Sequence, residues 1–221
     1  MLGWGTSMRQ RTFVVLAIFL WRCVDAAAES VSAEAVWQPG PSSVQEIKAQ
    51  CAASSGQSFQ ECFANGMGKA GASPQAVAFM RSGEGAYVRD FRRAGPVDIA
   101  YVTYPFRANE NEGVLLVNGV PASVDVDNQR LLAKADLAKD PVYAGLAKQF
   151  PQISLWPGDR YGAEEPLVKD MPGSGRRFVV SYRLRNMCHA CAVVGSAQFG
   201  FDFDRTGKFL GTKLLQVTAS Q

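Results

Sequence analysis

The chain has 221 residues, 47% hydrophobic and 19% charged, with a formal net charge of +3. So small a charge gives no basis for nucleic-acid binding, which draws on a strongly basic surface. The length suits one domain with one good core, and a single histidine, His189, leaves no second imidazole for catalysis.

Export is the first expectation in chain order. Arg9 and Arg11 precede an apolar run from Phe13 to Trp21, and Ala26-Ala27-Ala28 offers a small-residue cleavage site. This is the pattern of a signal peptide over 1–28, with an apolar run shorter than the roughly 20 residues that span a bilayer. Cys23 follows Arg22, which does not fit a lipoprotein cleavage site. Cleavage after Ala28 removes three positive charges and one negative, leaving +1, and retains Cys51, Cys62, Cys188 and Cys191. An even cysteine count in an exported chain predicts two disulfides. The destination is the periplasm if the source is Gram-negative, and the medium otherwise.

Residues 29–42 contain small residues and Pro39-Gly40-Pro41, and read as a flexible leader. A single α+β domain is then expected over 43–221, helical over 43–95 and sheet-forming, with inserted helices, over 96–221. Ser43-Val44-Gln45-Glu46 and Ser58-Phe59-Gln60-Glu61 each fit a capping box before a short helix. Cys51 falls late in the first helix and Cys62 early in the second, so a bridge between them closes a helical hairpin, worth roughly 3 kcal/mol by the loop-entropy rule. Gly66 to Gly71 lacks the spacing of a phosphate loop and reads as a helix end. Ser73-Pro74 starts a third helix, interrupted at Gly83-Glu84-Gly85 and resuming to a stop at Gly95-Pro96.

After Pro96 the period becomes two. Val97, Ile99 and Tyr101 mark a strand, and Asn118-Gly119 between Val114–Val117 and Val120–Val126 predicts a tight hairpin with Pro121 placing its second arm at a sheet edge. Residues 128–150 return to helical spacing, with a restart at Asp140-Pro141, and the stretch from Pro151 to Gly175 reads as loop.

The last third makes the sharpest prediction. Phe178, Val180, Tyr182 and Leu184 alternate with Arg177, Ser181, Arg183 and Arg185. With His189 and Ala190 as a two-residue turn, Cys188 faces Cys191, Leu184 faces Gly195, Tyr182 faces Ala197, Val180 faces Phe199 and Phe178 faces Phe201, while Arg177 meets Asp202 and Arg183 meets Ser196. A one-residue slip would reverse every side chain. Cysteines three apart on a straight strand lie roughly 10 Å from each other, too far to bridge, and a turn brings Cys188 and Cys191 together. A second turn at Arg205-Thr206-Gly207, with Gly207 left-handed, predicts Phe203 opposite Phe209 and Ala197 opposite Leu215.

Other chemistries for Cys188-His189-Ala190-Cys191 fit less well. A thioredoxin-type dithiol needs a helix N-terminus, and strand-patterned residues flank this pair. Haem attachment needs histidine at 192, where alanine stands, and zinc needs further ligands in paired spacing. Asp202 to Gly207 opens like a calcium loop, but Lys213 occupies the place of the bidentate glutamate. No catalytic residue, metal or cofactor is expected.

From Val142 to Gly207 the order of features is a helix ending at Phe150-Pro151, Leu155-Trp156, Gly158-Asp159-Arg160-Tyr161, a proline-containing loop, a strand, a cysteine-closed loop with histidine, and two strands. This order resembles the inhibitor of vertebrate lysozyme family. The resemblance implies an exported, non-enzymatic α+β inhibitor. By it Cys188, His189, Ala190 and Cys191 form the binding loop, and a lysozyme-like glycosidase is the partner. The family's loop has four residues between its cysteines, and this one has two. The alternatives are an envelope thiol-disulfide protein using Cys188 and Cys191, and a structural envelope protein.

Overall fold

A computed structural model describes residues 1, 30–40, 42–52, 58–82, 85–107, 112–158, 166–188 and 190–220. Residues 2–29, which include the expected signal segment and Cys23, lie outside them. Capping chemistry starts the helical part: α1 (Ser43–Ala52), α2 (Phe59–Lys69) and α3 (Pro74–Ser82). Ser58 Oγ accepts the Glu61 N–H at 3.2 Å, and Ser73 Oγ accepts the Ala76 N–H at 3.0 Å. The first box differs from expectation, because Ser43 is already helical and the Ser42 carbonyl takes the Glu46 N–H at 3.0 Å. The inner faces bury Ile47, Phe63, Met67 and Met80 against Trp37 and Tyr87. Cys51 and Cys62 sit at disulfide distance within this cluster, their Cα atoms 5.7 Å apart.

Residues 30–40 of the segment expected to be a flexible leader are seated instead. Its Trp37 is only 5% exposed and donates its N–H to the Val88 carbonyl at 2.9 Å. Asn118 clasps Val31 through both its amide oxygen and its amide nitrogen, each at 2.8 Å. Apolar Val31, Ala35 and Val36 cover sheet surface that would otherwise face water.

That surface belongs to the first sheet, β1 (Tyr87–Arg92), β2 (Asp98–Thr103), β3 (Glu112–Val117) and β4 (Ser123–Asp125), antiparallel in sequence order. β1 corrects the expectation that the third helix resumes up to Gly95-Pro96. Tyr87, Val88 and Phe91 pair with Thr103, Val102 and Ala100, and gain more from that than from an isolated helical turn. Both faces of β2 and β3 are covered, Ile99, Tyr101, Val114 and Leu116 on one side and Ala100, Val102, Leu115 and Val117 on the other. The tight turn expected at Asn118-Gly119 is longer, since the Asn118 N–H reaches the Ala122 carbonyl at 3.0 Å. Pro121, with no N–H, stays in that loop, and β4 forms the sheet edge as Pro121 implies.

The second sheet contains β5 (Ile153–Pro157), β6 (Leu167–Asp170), β7 (Arg176–Asn186), β8 (Val193–Phe203) and β9 (Phe209–Ala219). The predicted β7–β8 register holds from Leu184 and Gly195 down to Arg177 and Asp202, but not at the predicted pair of Cys188 and Cys191, beyond a shift at Arg185. β5 and β6 fall in the stretch read as loop, where they line the same edge of β7 in succession. The turn at Gly207 has the expected left-handed φ of 82° and sets Phe203 opposite Phe209. Two register shifts along β9 then place Val217, rather than Leu215, opposite Ala197. Straight alternation from Phe209 would aim Lys213 into the core, and the first shift turns it to solvent.

Helices α4 (Lys134–Lys139) and α5 (Pro141–Gln149) restart at Asp140, whose Oδ1 accepts the N–H groups of Val142 and Tyr143 at 2.9 and 3.0 Å. Leu137 and Leu146 join the apolar cluster that both sheets share, around Phe178, Tyr182, Phe199 and Phe201. The architecture is α+β, with helices over the first sheet, the first sheet over the second, and a terminal meander of β7, β8 and β9.

Candidate functional site: the β7–β8 hairpin tip

β7 and β8 carry the predicted loop beyond the end of their ladder. At the tip the pairing slips by one residue, so that Arg185 faces Val193. Cys188 and Cys191 therefore do not close a continuous two-residue hairpin. They lie in a wider loop that begins after the Asn186 N–H reaches the Ala192 carbonyl at 3.0 Å. Inside it the Cys191 N–H donates to the Cys188 carbonyl at 3.0 Å, a turn that brings the two Cα atoms to 5.0 Å and the sulfurs to disulfide distance. Met187 adopts a left-handed φ of 83° to enter the turn. His189 lies outside the described residues. Of its neighbours, Cys188 and Ala190 are exposed and Cys191 is half-buried.

Two side chains hold this loop, and a third bonds to one of them. Ser154 Oγ on β5 donates to the Met187 carbonyl at 2.9 Å and accepts the Trp156 indole N–H at 2.8 Å. Arg185 Nη1 donates to the Cys191 carbonyl at 2.7 Å, while its buried Nε–H has no hydrogen-bond partner among the described residues. The rim is apolar, with Met187 56% and Val193 40% exposed. The Ser154 and Trp156 supports are not visible from spacing alone, because both residues belong to a strand read as loop. The alternation that marked β7 did single out Arg185.

Farther along the hairpin one charge is paired across the strands. Arg177 meets Asp202 through two bonds of 2.6 Å, a fork that raises the guanidinium pKa further and leaves this pair little to offer a partner. The stretch that resembles a calcium loop is an ordinary turn. Asp204 Oδ1 there accepts from the Thr206 N–H at 2.8 Å, the Thr206 hydroxyl at 2.6 Å and the Lys208 N–H at 3.0 Å, which lowers its pKa. Among the described residues no group of three or more histidine, cysteine or acidic side chains is placed to hold a metal. Neither Cys188 nor Cys191 begins a helix, and no described helix is long and apolar enough to cross a membrane. No protein-family model, curated protein or solved structure matches the chain.

Proposed function

We propose that the protein is an exported, non-enzymatic binding or inhibitor module that presents residues 188–191 to the cleft of a lysozyme-like glycosidase. One observation carries this reading: the loop protrudes past the last strand pair, yet its carbonyls are pinned by Ser154 and Arg185. A loop whose flanking carbonyls are held before binding loses less freedom on association there, which favours affinity. Exposed Met187 and Val193 beside it supply the apolar contact that a binding tip needs. The imidazole of His189, between the two cysteines in sequence, is the group assigned to the partner's cleft.

Inhibition of a lysozyme-type glycosidase by the purified protein, measured beside His189→Ala, tests the proposal. The wild type is expected to inhibit, and the variant to lose roughly tenfold or more, as at a contact of hot-spot weight. Absence of inhibition by the wild type would remove the reading. A thiol-disulfide role draws support from a different feature, the Arg185 guanidinium beside Cys191, since a neighbouring cation stabilises a thiolate. The reduction potential of the pair separates the two: below about −300 mV for a structural bridge, and about −120 to −200 mV for an active couple.

A further inference from the structure

The two cysteine pairs differ in what a reductant can reach. Cys51 is 4% exposed and Cys62 half-buried, and both pack in the cluster of Trp37, Ile47 and Phe63, joining α1 to α2. Cys188 is exposed at the hairpin tip, with Cys191 half-buried beside it. Thiol–disulfide exchange begins when a thiolate attacks one sulfur of the bond, so its rate follows access. The helical pair meets that attack only when its cluster opens locally, whereas Cys188 meets it at the surface of the native fold.

The tip is also built so that loss of its bridge is felt. Met187, directly before Cys188, holds a left-handed φ of 83°, a conformation that a long side chain keeps only where its surroundings impose it. The bond from Ser154 Oγ to the Met187 carbonyl is solvent-exposed, so water competes for it. Covalent closure of residues 188–191 is then what keeps Met187 in this turn. Arg185 assists the opening chemistry. Its Nη1 donates to the Cys191 carbonyl at 2.7 Å, and its buried Nε–H has no hydrogen-bond partner among the described residues. A cation in that place favours departure of Cys191 as a thiolate.

We propose that the Cys188–Cys191 bridge is a redox latch on the binding tip: a dithiol reductant opens it while Cys51–Cys62 stays closed, and the loosened loop releases its partner. This rests on the binding reading of residues 188–191. A thiolate of the dithiol attacks the Cys188 sulfur, a mixed disulfide forms, and Cys191 leaves as a thiolate that takes up a proton. The second thiol of the reductant, deprotonated, then displaces Cys188. The reductant ends as a disulfide, and its two electrons and two protons reside on the two cysteines. Timed exposure of the oxidised full chain to dithiothreitol, with alkylation of freed thiols and peptide mass analysis, tests the order of opening. Cys188 and Cys191 should be labelled about tenfold faster than Cys51 and Cys62. Protein opened only at the tip should show faster amide exchange at 186–193 and unchanged exchange along β7 from 176 to 184. Cys188→Ala/Cys191→Ala should reproduce that pattern with no reductant. Equal or reversed labelling overturns the proposal, as does exchange at 186–193 that stays at the oxidised rate in either opened form. Neither readout needs a partner, so both judge the latch even where the oxidised wild type fails to inhibit a glycosidase, the result that removes the binding reading. Where the oxidised protein does inhibit, the tip-opened protein should inhibit about tenfold more weakly, because its loop must be ordered on binding. Equal inhibition by the two forms overturns the latch.

Discussion

Arg177 and Asp202 show how one residue pair reports the register of a whole sheet. Their fork is less than a quarter exposed on either side, so removing one partner strands the other's charge in a partly dry site. Arg177→Ala is expected to lower unfolding stability by about 2 kcal/mol, in the range for hydrogen bonds to charged groups, read from urea denaturation. Asp204 reports on pH instead. Its folded pKa lies below the unfolded value, so the turn is stabilised above the ordinary carboxylate range, and that contribution disappears as pH falls through the depressed value. Amide exchange at Thr206 and Lys208 should accelerate as pH falls below about 4 beyond the intrinsic trend. In Asp204→Ala that acid-dependent step should be absent.

Among the elements, the β7–β8 pair was the most legible, because strict alternation with a bulky apolar face allows only one register. The short helices were legible from Ser58, Ser73 and Asp140, whose side chains do the capping that their positions imply. β5 and β6 were not. Each is stabilised by an edge of β7 rather than by its own pattern, and local sequence carries little of such a long-range term. The seating of Trp37 was hidden for the same reason, since its partners Phe63 and Tyr87 are remote in sequence.

The junction between sheets depends on a second element-scale contact. The Val120 N–H donates to the Gly207 carbonyl at 2.8 Å, and the Phe209 N–H returns to the Val120 carbonyl at 2.8 Å. A Cβ at Gly207 would stand 2.8 Å from the Pro96 carbonyl, at a φ that L side chains resist. Gly207→Ala should therefore destabilise by roughly 1–3 kcal/mol through backbone strain alone, seen as a lower urea midpoint.

For the whole molecule, the shared core around Phe178, Tyr182, Phe199 and Phe201 makes the second sheet a rigid base for both ends of its long hairpin. Tyr182 adds a buried hydroxyl that donates to the Val126 carbonyl, tying the sheet to the chain beyond β4. The candidate site was only half legible in these terms. The cysteine spacing located the tip, whereas the one-residue slip at Arg185 and the props from Ser154 and Trp156 depend on tertiary packing. A chain with such a base would transmit little disturbance from its tip on binding, so a partner's footprint should stay local.

Hydrogen exchange of the oxidised protein, with and without a lysozyme-type glycosidase, therefore tests the central proposal most directly. Slowed exchange is expected, confined to residues 186–193 and the adjoining β5 around Ser154. Protection elsewhere with none at 186–193, or no protection at a concentration that inhibits the glycosidase, would contradict it.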